Sequence, residues 1–363
     1  MEGYKALNMD MSSAYGDMIY EIGKKYTITG ELKMCENGFH FCEELEDIEN
    51  HYTITKSRIF KIKAEGKIIE EYDKSCAESI TLIRELSKEE IHQYFVDNQE
   101  RILEKYYPCR KALADQGLCL DKLVNDGNPH VRKAVTKQNY DLETLIHDKN
   151  PWVRVAIAEQ GYRLDILVND ENPHVRATVA EQGYGLDALV YDKDELVREE
   201  VARQGYGLDV LIKDGSPIVR EEVARQGYGL DILIKDEDPD VRAAVVEQGY
   251  GLETLIHDKD PWVRVAVAKL NYGLDTLVND GNPHVRAAVA TQGYRLNILI
   301  NDENYCVREE VAAQGYGLDV LIKDKDSAVR AAVARQGYKL DILANDLSGY
   351  VRKAAYDKLK TLQ

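Results

Sequence analysis

The pair Val-Arg recurs every 22 residues, eleven times from Val131-Arg132 to Val351-Arg352, without one insertion or deletion. One period earlier stands Cys109-Arg110, inside PCRKALADQGLCLDKLVND, which follows the same plan. A unit of this length is too short to bury its own apolar surface, so neighbouring units must stack and share one core. That requirement excludes most globular arrangements for residues 108–363 and leaves an array of about twelve units, the first and last atypical. At the usual ~8–10 Å between packed helices, such an array is a long solenoid.

One unit reads D-x-[NDS]-P-x-V-R-x-A-V-A-x-Q-G-Y-G-L-D-x-L-[IV]-x. Three residues before each Val stands Asn128, Asn150, Asn172, Asp194, Ser216, Asp238, Asp260, Asn282, Asn304, Asp326 or Ser348. All are residue types that accept a hydrogen bond from the first free amides of a helix. In seven units Pro follows, and Pro suits a first helical turn, whose N–H is unpaired anyway. The helix runs about ten residues to Gln-Gly, where Gly offers a left-handed C-terminal cap. The segment Leu-Asp-x-Leu-Ile that follows has room only for a 3₁₀ turn or a very short α turn. Val131, Ala134 and Val135 face inward from the helix, and Leu142, Leu145 and Ile146 supply a second apolar layer.

Each Arg has an Asp six residues before it. The pairs are Asp126 and Arg132, Asp148 and Arg154, Asp170 and Arg176, Asp192 and Arg198, Asp214 and Arg220, and Asp236 and Arg242. They continue with Asp258 and Arg264, Asp280 and Arg286, Asp302 and Arg308, Asp324 and Arg330, and Asp346 and Arg352. The string D-x-x-P-x-V-R-x-A resembles the helix signature of HEAT repeats. The short period with a single full helix is similar to the leucine-rich repeat variant family over residues 106–356. That resemblance implies a mainly α fold, a right-handed α-solenoid of alternating α and 3₁₀ segments, acting as a binding scaffold. The units are shorter than is usual for the family, and the cysteine cluster that its Fe–S members require is not found.

The arginines admit two uses. They could track a phosphate backbone, or they could pair with the aspartates and tie each unit to the next. The equal recurrence of Asp favours pairing, because a planar guanidinium matches a carboxylate bidentately and buried charges are normally paired. A formal net charge of -17 and a pI near 5.0 also argue against a nucleic-acid partner. The expected partner is a protein, with a basic surface that suits an acidic chain.

Recognition belongs to positions that vary while the frame stays constant. The residue before each Val forms one row: His130, Trp152, His174, Leu196, Ile218, Asp240, Trp262, His284, Cys306, Ala328, Tyr350. Both tryptophans of the chain lie on it, with Val155 and Val265 one helical turn on as the expected remainder of two small apolar patches. Exposed aromatic anchors are common hot spots of protein interfaces; the competing use is packing of the indole onto the next unit. HDKNPWVRVAIA at 147 returns as HDKDPWVRVAVA at 257, and GLDVLIKDGS at 207 returns as GLDVLIKDKD at 317. This five-unit shift marks an internal duplication and two similar patches. The histidines of the row stand two or more units apart, on the order of 20 Å, too far to share a metal.

Residues 1–105 lack the repeat and are the more acidic part, with 14 Lys and Arg against 22 Asp and Glu. YKALN, MIYEIGKKYTITG and RIFKIKAEGKIIEEY read as strands, and Glu43 to Tyr52 as a helix. The expected division is an α+β head over 1–77, a helical connector over 78–107 that caps the array, and the solenoid over 108–363 with a C-terminal capping helix. CENGFHFC places Cys35, His40 and Cys42 close together, with Cys76 further on, in a spacing that matches no common zinc site. Six scattered cysteines and the lack of a signal sequence or apolar span point to reduced thiols in a cytoplasmic protein. The head resembles small domains of phage and bacterial proteins of unknown role, and more faintly the ADP-ribosyltransferase layout. No Arg/His, Ser and Glu constellation for NAD chemistry, phosphate-binding Gly loop or nucleophile elbow is present. The expected function is therefore non-enzymatic: a scaffold holding a protein partner, without cofactor or metal, as an inhibitor of phage type aimed at a host defence or nucleic-acid-handling complex. An ADP-ribosyltransferase-like head and nucleic-acid binding along the arginines are the rival expectations.

Overall fold

The structure, a computed structural model, describes residues 1–13 and 18–362. It divides into two bodies, Met1–Tyr184 and Gly185–Gln363. The first holds the head and the leading repeats, and the second holds repeats alone.

The head is built on five strands, β1 (Glu2–Leu7), β2 (Lys25–Thr27), β3 (Phe39–Phe41), β4 (Arg58–Glu70) and β5 (Ser75–Glu85), all paired antiparallel. The order is β1-β4-β5-β2, and β3 also pairs with β5. Beyond β3, the Cys42 amide and carbonyl exchange hydrogen bonds of 2.8 and 2.7 Å with Tyr4 in β1, so the sheet closes on itself. Closure brings Gly3 so near that a Cβ there would stand 2.6 Å from the Cys42 carbonyl oxygen and 2.7 Å from the Phe41 ring. The interior is filled by Leu7, Tyr20, Phe39, Phe41, Phe60, Ile62, Ile80 and Leu82. Glu43 to Tyr52, expected as an α-helix, carries a 3₁₀ turn at Leu45–Asn50.

The helix expected from Glu78 is corrected. Ser75–Glu85 is β5, because SITLI offers β-branched and apolar side chains to a pleated surface and pairs along β4. The connector therefore begins as the last strand of the sheet. The helix α1 (Lys88–Leu103) starts only where Ser87 and Glu90 form a reciprocal capping box, with bonds of 3.2 and 2.9 Å. Next comes α2 (Tyr107–Asp115), the helix of the first unit.

From α2 onward, helices of eight or nine residues alternate with helices of four, ending in a longer helix at Gly349–Lys360. Pro151–Ala158 followed by Leu164–Leu167 is one such unit. Of the two options open for the second segment, the short α turn is the one formed. The N-cap side chain accepts the amide two residues on, as Asn150 does from Trp152 at 2.9 Å. Ser216 and Ser348 make no such bond; their hydroxyl is one atom shorter than the Asn or Asp carboxamide or carboxylate reach. The helix ends as anticipated. Gly161 has φ +70°, its amide binds the Ala158 carbonyl and the Tyr162 amide binds the Ile157 carbonyl, a Schellman arrangement. The inward residues (Val131, Val153, Val175, Val197 and their equivalents) are fully buried, as are Val135, Ile157 and Val179.

Candidate functional site

Within each body the repeat Arg reaches forward to the next unit, up to Arg154 in the first and from Arg198 to Arg330 in the second. Arg242 donates Nε to Asp258 Oδ2 at 2.7 Å and Nη2 to Asp258 Oδ1 at 2.8 Å, 16 residues on, while Nη1 binds the Asp236 carbonyl of its own unit at 2.7 Å. The Asp six residues before an Arg thus offers its backbone oxygen, and the Asp of the following unit offers the carboxylate. In the first body Arg132 meets Asp148 and Arg154 meets Asp170 in this way, and Arg110 meets Asp126. In the second body Arg198 meets Asp214, Arg220 meets Asp236, Arg264 meets Asp280 and Arg286 meets Asp302. Arg308 with Asp324 and Arg330 with Asp346 complete the series there. Arg176 binds the Asp170 carbonyl, Asp192 accepts the Asp194 amide, and Arg352 binds the Asp346 and Leu347 carbonyls. The same carboxylate also accepts the N-cap amide, as Asp258 Oδ1 does from Asp260 at 2.8 Å. Burial alone would raise the Asp258 pKa, but the Arg242 guanidinium and that amide outweigh it and hold the carboxyl below its ordinary value.

The N-cap bond also locates the variable row. The amide it captures belongs to the row residue, at 2.9 Å for His130 and His174, 2.8 Å for Trp262 and His284, and 3.1 Å for Leu196. The side chain is left at the outer edge of the first helical turn whatever its identity. Trp152 is 52% exposed and Trp262 59%, and Leu196, Ile218 and Tyr350 are exposed too. Cys306 and Ala328 are half-buried. Val155 and Val265, expected beside the indoles on the surface, are buried at 5% and 6% and are corrected from contact residues to floor. One helical turn on from the row these two valines are out of solvent, whereas Lys133 and Glu221 at the same position are half-buried.

The structure brings row residues together in two pairs across neighbouring units and sets two others against aromatic or basic side chains outside the row. Trp152 lies on His174 with ring centres 5.1 Å apart, and Trp262 stacks on His284 at 5.3 Å with planes 25° apart. His130 stacks on Tyr107 at 5.8 Å, and the Arg335 guanidinium lies 5.4 Å over the Tyr350 ring. An indole held by an imidazole keeps one face supported and its edge in solvent, which lowers the entropy lost when a partner covers it.

Two polar clusters of the head were not singled out from sequence. Glu46, fully buried in the 3₁₀ turn, stands 2.7 Å from Arg101 Nη1 and 3.0 Å from Lys105 Nζ, and accepts from Tyr94 Oη at 2.8 Å. Asp47 binds Lys105 and Tyr106, and Glu49 binds Lys111 of α2 at 2.7 Å, so the head is clamped to the first repeat. Lys5 is 6% exposed, donates to the His40 carbonyl at 2.8 Å and lies 5.3 Å over the Tyr20 ring; burial lowers its pKa to about 8. A Lys in YKAL reads as a solvent-facing strand residue, and no sequence signal marks its burial. Of the CENGFHFC residues, Cys35 is exposed and accepts from Lys74 Nζ at 3.3 Å, His40 accepts the Cys35 amide at 3.1 Å, and Cys42 and Cys76 are buried. Among the described residues, no group of three His, Cys, Asp or Glu is placed to hold a metal, and no helix is long and apolar enough to cross a membrane.

Residues 1–94 match a family model described as a domain of unknown function, DUF7666, which spans the sheet and the first part of α1. A search of curated proteins returns no match.

Proposed function

We propose that the chain is a non-enzymatic protein-binding scaffold of the leucine-rich repeat variant kind, which takes its partner on the row residues of each body, His130 to His174 in the first and Leu196 to Tyr350 in the second. One observation carries the reading: two indoles, one in each body and each more than half exposed, are held ready on the imidazole of the next unit at equivalent repeat positions. Large aromatic side chains fixed in solvent are costly to leave bare and are the side chains that dominate interfaces once covered. The ladder supports a protein over a nucleic acid, since its guanidiniums are held bidentately by carboxylates and are unavailable to phosphates. An acidic cytoplasmic scaffold that covers a basic face would act as an inhibitor, of the kind a phage directs at a host defence or nucleic-acid-handling complex.

The test is affinity capture from host extract with the full chain and with Trp152→Ala and Trp262→Ala variants of unchanged circular dichroism. A protein retained by the full chain and lost from either variant supports the reading; capture indifferent to both substitutions removes it.

A further inference from the structure

The two indole–imidazole plates share their chemistry but not their surroundings. The helix before Trp262, Pro239–Glu247, carries Asp240 at the same row position and Glu247 in its last turn. One helix earlier, Pro217–Arg225 carries Glu221 and Glu222. Arg225 pairs with Glu221 and lies 3.9 Å from Glu222 and 3.8 Å from Glu247. Glu222 also lies 3.8 Å from Arg203, which pairs with Glu199 and Glu200. Burial raises the Glu221 pKa, and Asp240 and Glu247 raise it further despite Arg225. Negative charge there exceeds what the arginines neutralise. Lys269, at the far end of the Trp262 helix, forms no ion pair within 4.0 Å among the described residues.

Trp152 has a different setting. Two helices before it Lys111 is balanced by Glu49 and Asp115, and its own helix ends at Glu159 where the Trp262 helix has Lys269, so the contrast lies in the adjacent helix. That helix, Pro129–Thr136, carries His130 at the row position and Lys133, with Lys137 just beyond its end, and holds no carboxylate. Packed helices lie ~8–10 Å apart, about one screening length at physiological salt. Asp240, at the row position of the adjacent helix, therefore acts directly on whatever covers Trp262, and Glu247 at the end of that helix and Glu221 one helix further extend the acidic surface that a longer segment would cross.

We infer that Trp262 receives a basic protein segment, with an apolar side chain against the indole and neighbouring Arg or Lys side chains over Glu221, Asp240 and Glu247, and that Trp152 does not take the same segment. The inference rests on the row being the contact surface and adds the chemistry of what binds there. The duplicated plates supply the same anchor, and the preceding helix supplies the discrimination. Complementary charge sets partner choice and register more than raw affinity. An Arg of the segment also gains from stacking on an indole face.

The chain has two tryptophans, so Trp152→Phe leaves Trp262 as sole reporter and Trp262→Phe leaves Trp152. The probes are a synthetic peptide of alternating Arg and Leu and its Glu-Leu counterpart of equal length. The Arg-Leu peptide is expected to shift the emission of Trp262 at concentrations that leave Trp152 unmoved, and the Glu-Leu peptide to leave Trp262 unchanged. Glu221→Gln, Asp240→Asn and Glu247→Gln together, in the Trp152→Phe background, should weaken binding about tenfold or more and flatten its salt dependence. Equal response of both indoles, unchanged affinity in the triple variant, or no response of Trp262 to the basic peptide overturns the inference. The contact reading itself would survive those results and fall only if Trp262→Ala and Trp152→Ala both left partner capture intact.

Discussion

Asp258→Ala isolates what one rung of the Arg–Asp ladder does. Arg242 and Asp258 are 5% and 8% exposed, and their two bonds are 2.7 and 2.8 Å. The substitution leaves the Arg242 Nε and Nη2 donors buried with no acceptor, while Nη1 keeps the Asp236 and Glu237 carbonyls. Breaking a buried pair from one side costs about 3–5 kcal/mol, because a desolvated charge is left alone. Arg242→Met combined with Asp258→Ala removes the stranded charge, and should recover most of that loss although the Asp260 amide still lacks its acceptor. Repeat arrays open unit by unit, so the measurement is hydrogen exchange of amides in 239–269 rather than a global melt. If Asp258→Ala lowers local opening free energy by less than about 1 kcal/mol, the value of a surface pair, or if the double variant is the less stable of the two, the ladder is not what couples the units.

Acid should dismantle the array late. For Asp126, Asp148, Asp214, Asp236, Asp258, Asp280, Asp302 and Asp324, burial raises the pKa but the paired Arg and the N-cap amide outweigh it, leaving each below the ordinary 3.8. Their contribution is complete above that value and is lost as pH falls through the depressed folded values, so helical circular dichroism should hold from pH 7 to 5 and collapse below 3.8. Glu46→Ala takes one carboxylate from Arg101 and Lys105, which keep Glu44 and Asp47, and leaves Tyr94 without one of its acceptors; a loss of about 1.5–3 kcal/mol is expected, read as faster exchange in α1 and α2, and unchanged exchange there would count against the joint. Gly3→Ala forces a Cβ onto the Cys42 carbonyl and Phe41, for an overpacking cost of about 1–3 kcal/mol. The amides of Tyr4 and Cys42 should lose protection first.

The repeat helices were legible because their chemistry is local. An Asn or Asp, a Pro and a Gln-Gly at constant spacing specify where a helix starts and stops before any tertiary contact forms, and the 22-residue period then implies stacking. What escaped depends on neighbours that no single unit shows. Val155 stands three residues beyond Trp152, enough to turn it out of solvent, so it is buried while the indole is not. His174 and His284 read as isolated row residues, yet each becomes the support of an indole 22 residues earlier. In the head, Ser75–Glu85 carries apolar residues in a pattern that a helix would tolerate, and only its long pairing with β4 decides for a strand. Lys5 and Glu46 are ordinary polar letters until the closed sheet and the 3₁₀ turn bury them.

Stability and recognition use different atoms of the same turn. The frame draws on the Arg guanidinium, the Asp carboxylate and the row residue's backbone amide; the row side chain takes no part. The cap bond accordingly stays between 2.8 and 3.1 Å whether that side chain is His, Trp, Leu or Asp. A position whose backbone is held by its neighbour is released from any structural demand on its side chain, so substitution there changes the surface without loosening the stack. The duplicated Trp–His plates fit this arrangement: a five-unit block copied whole carries its anchor with it. Divergence between the copies, Asp240 and Glu247 against His130 and Lys137, 110 residues earlier, alters what the anchor accepts while leaving the rungs beneath it as they were.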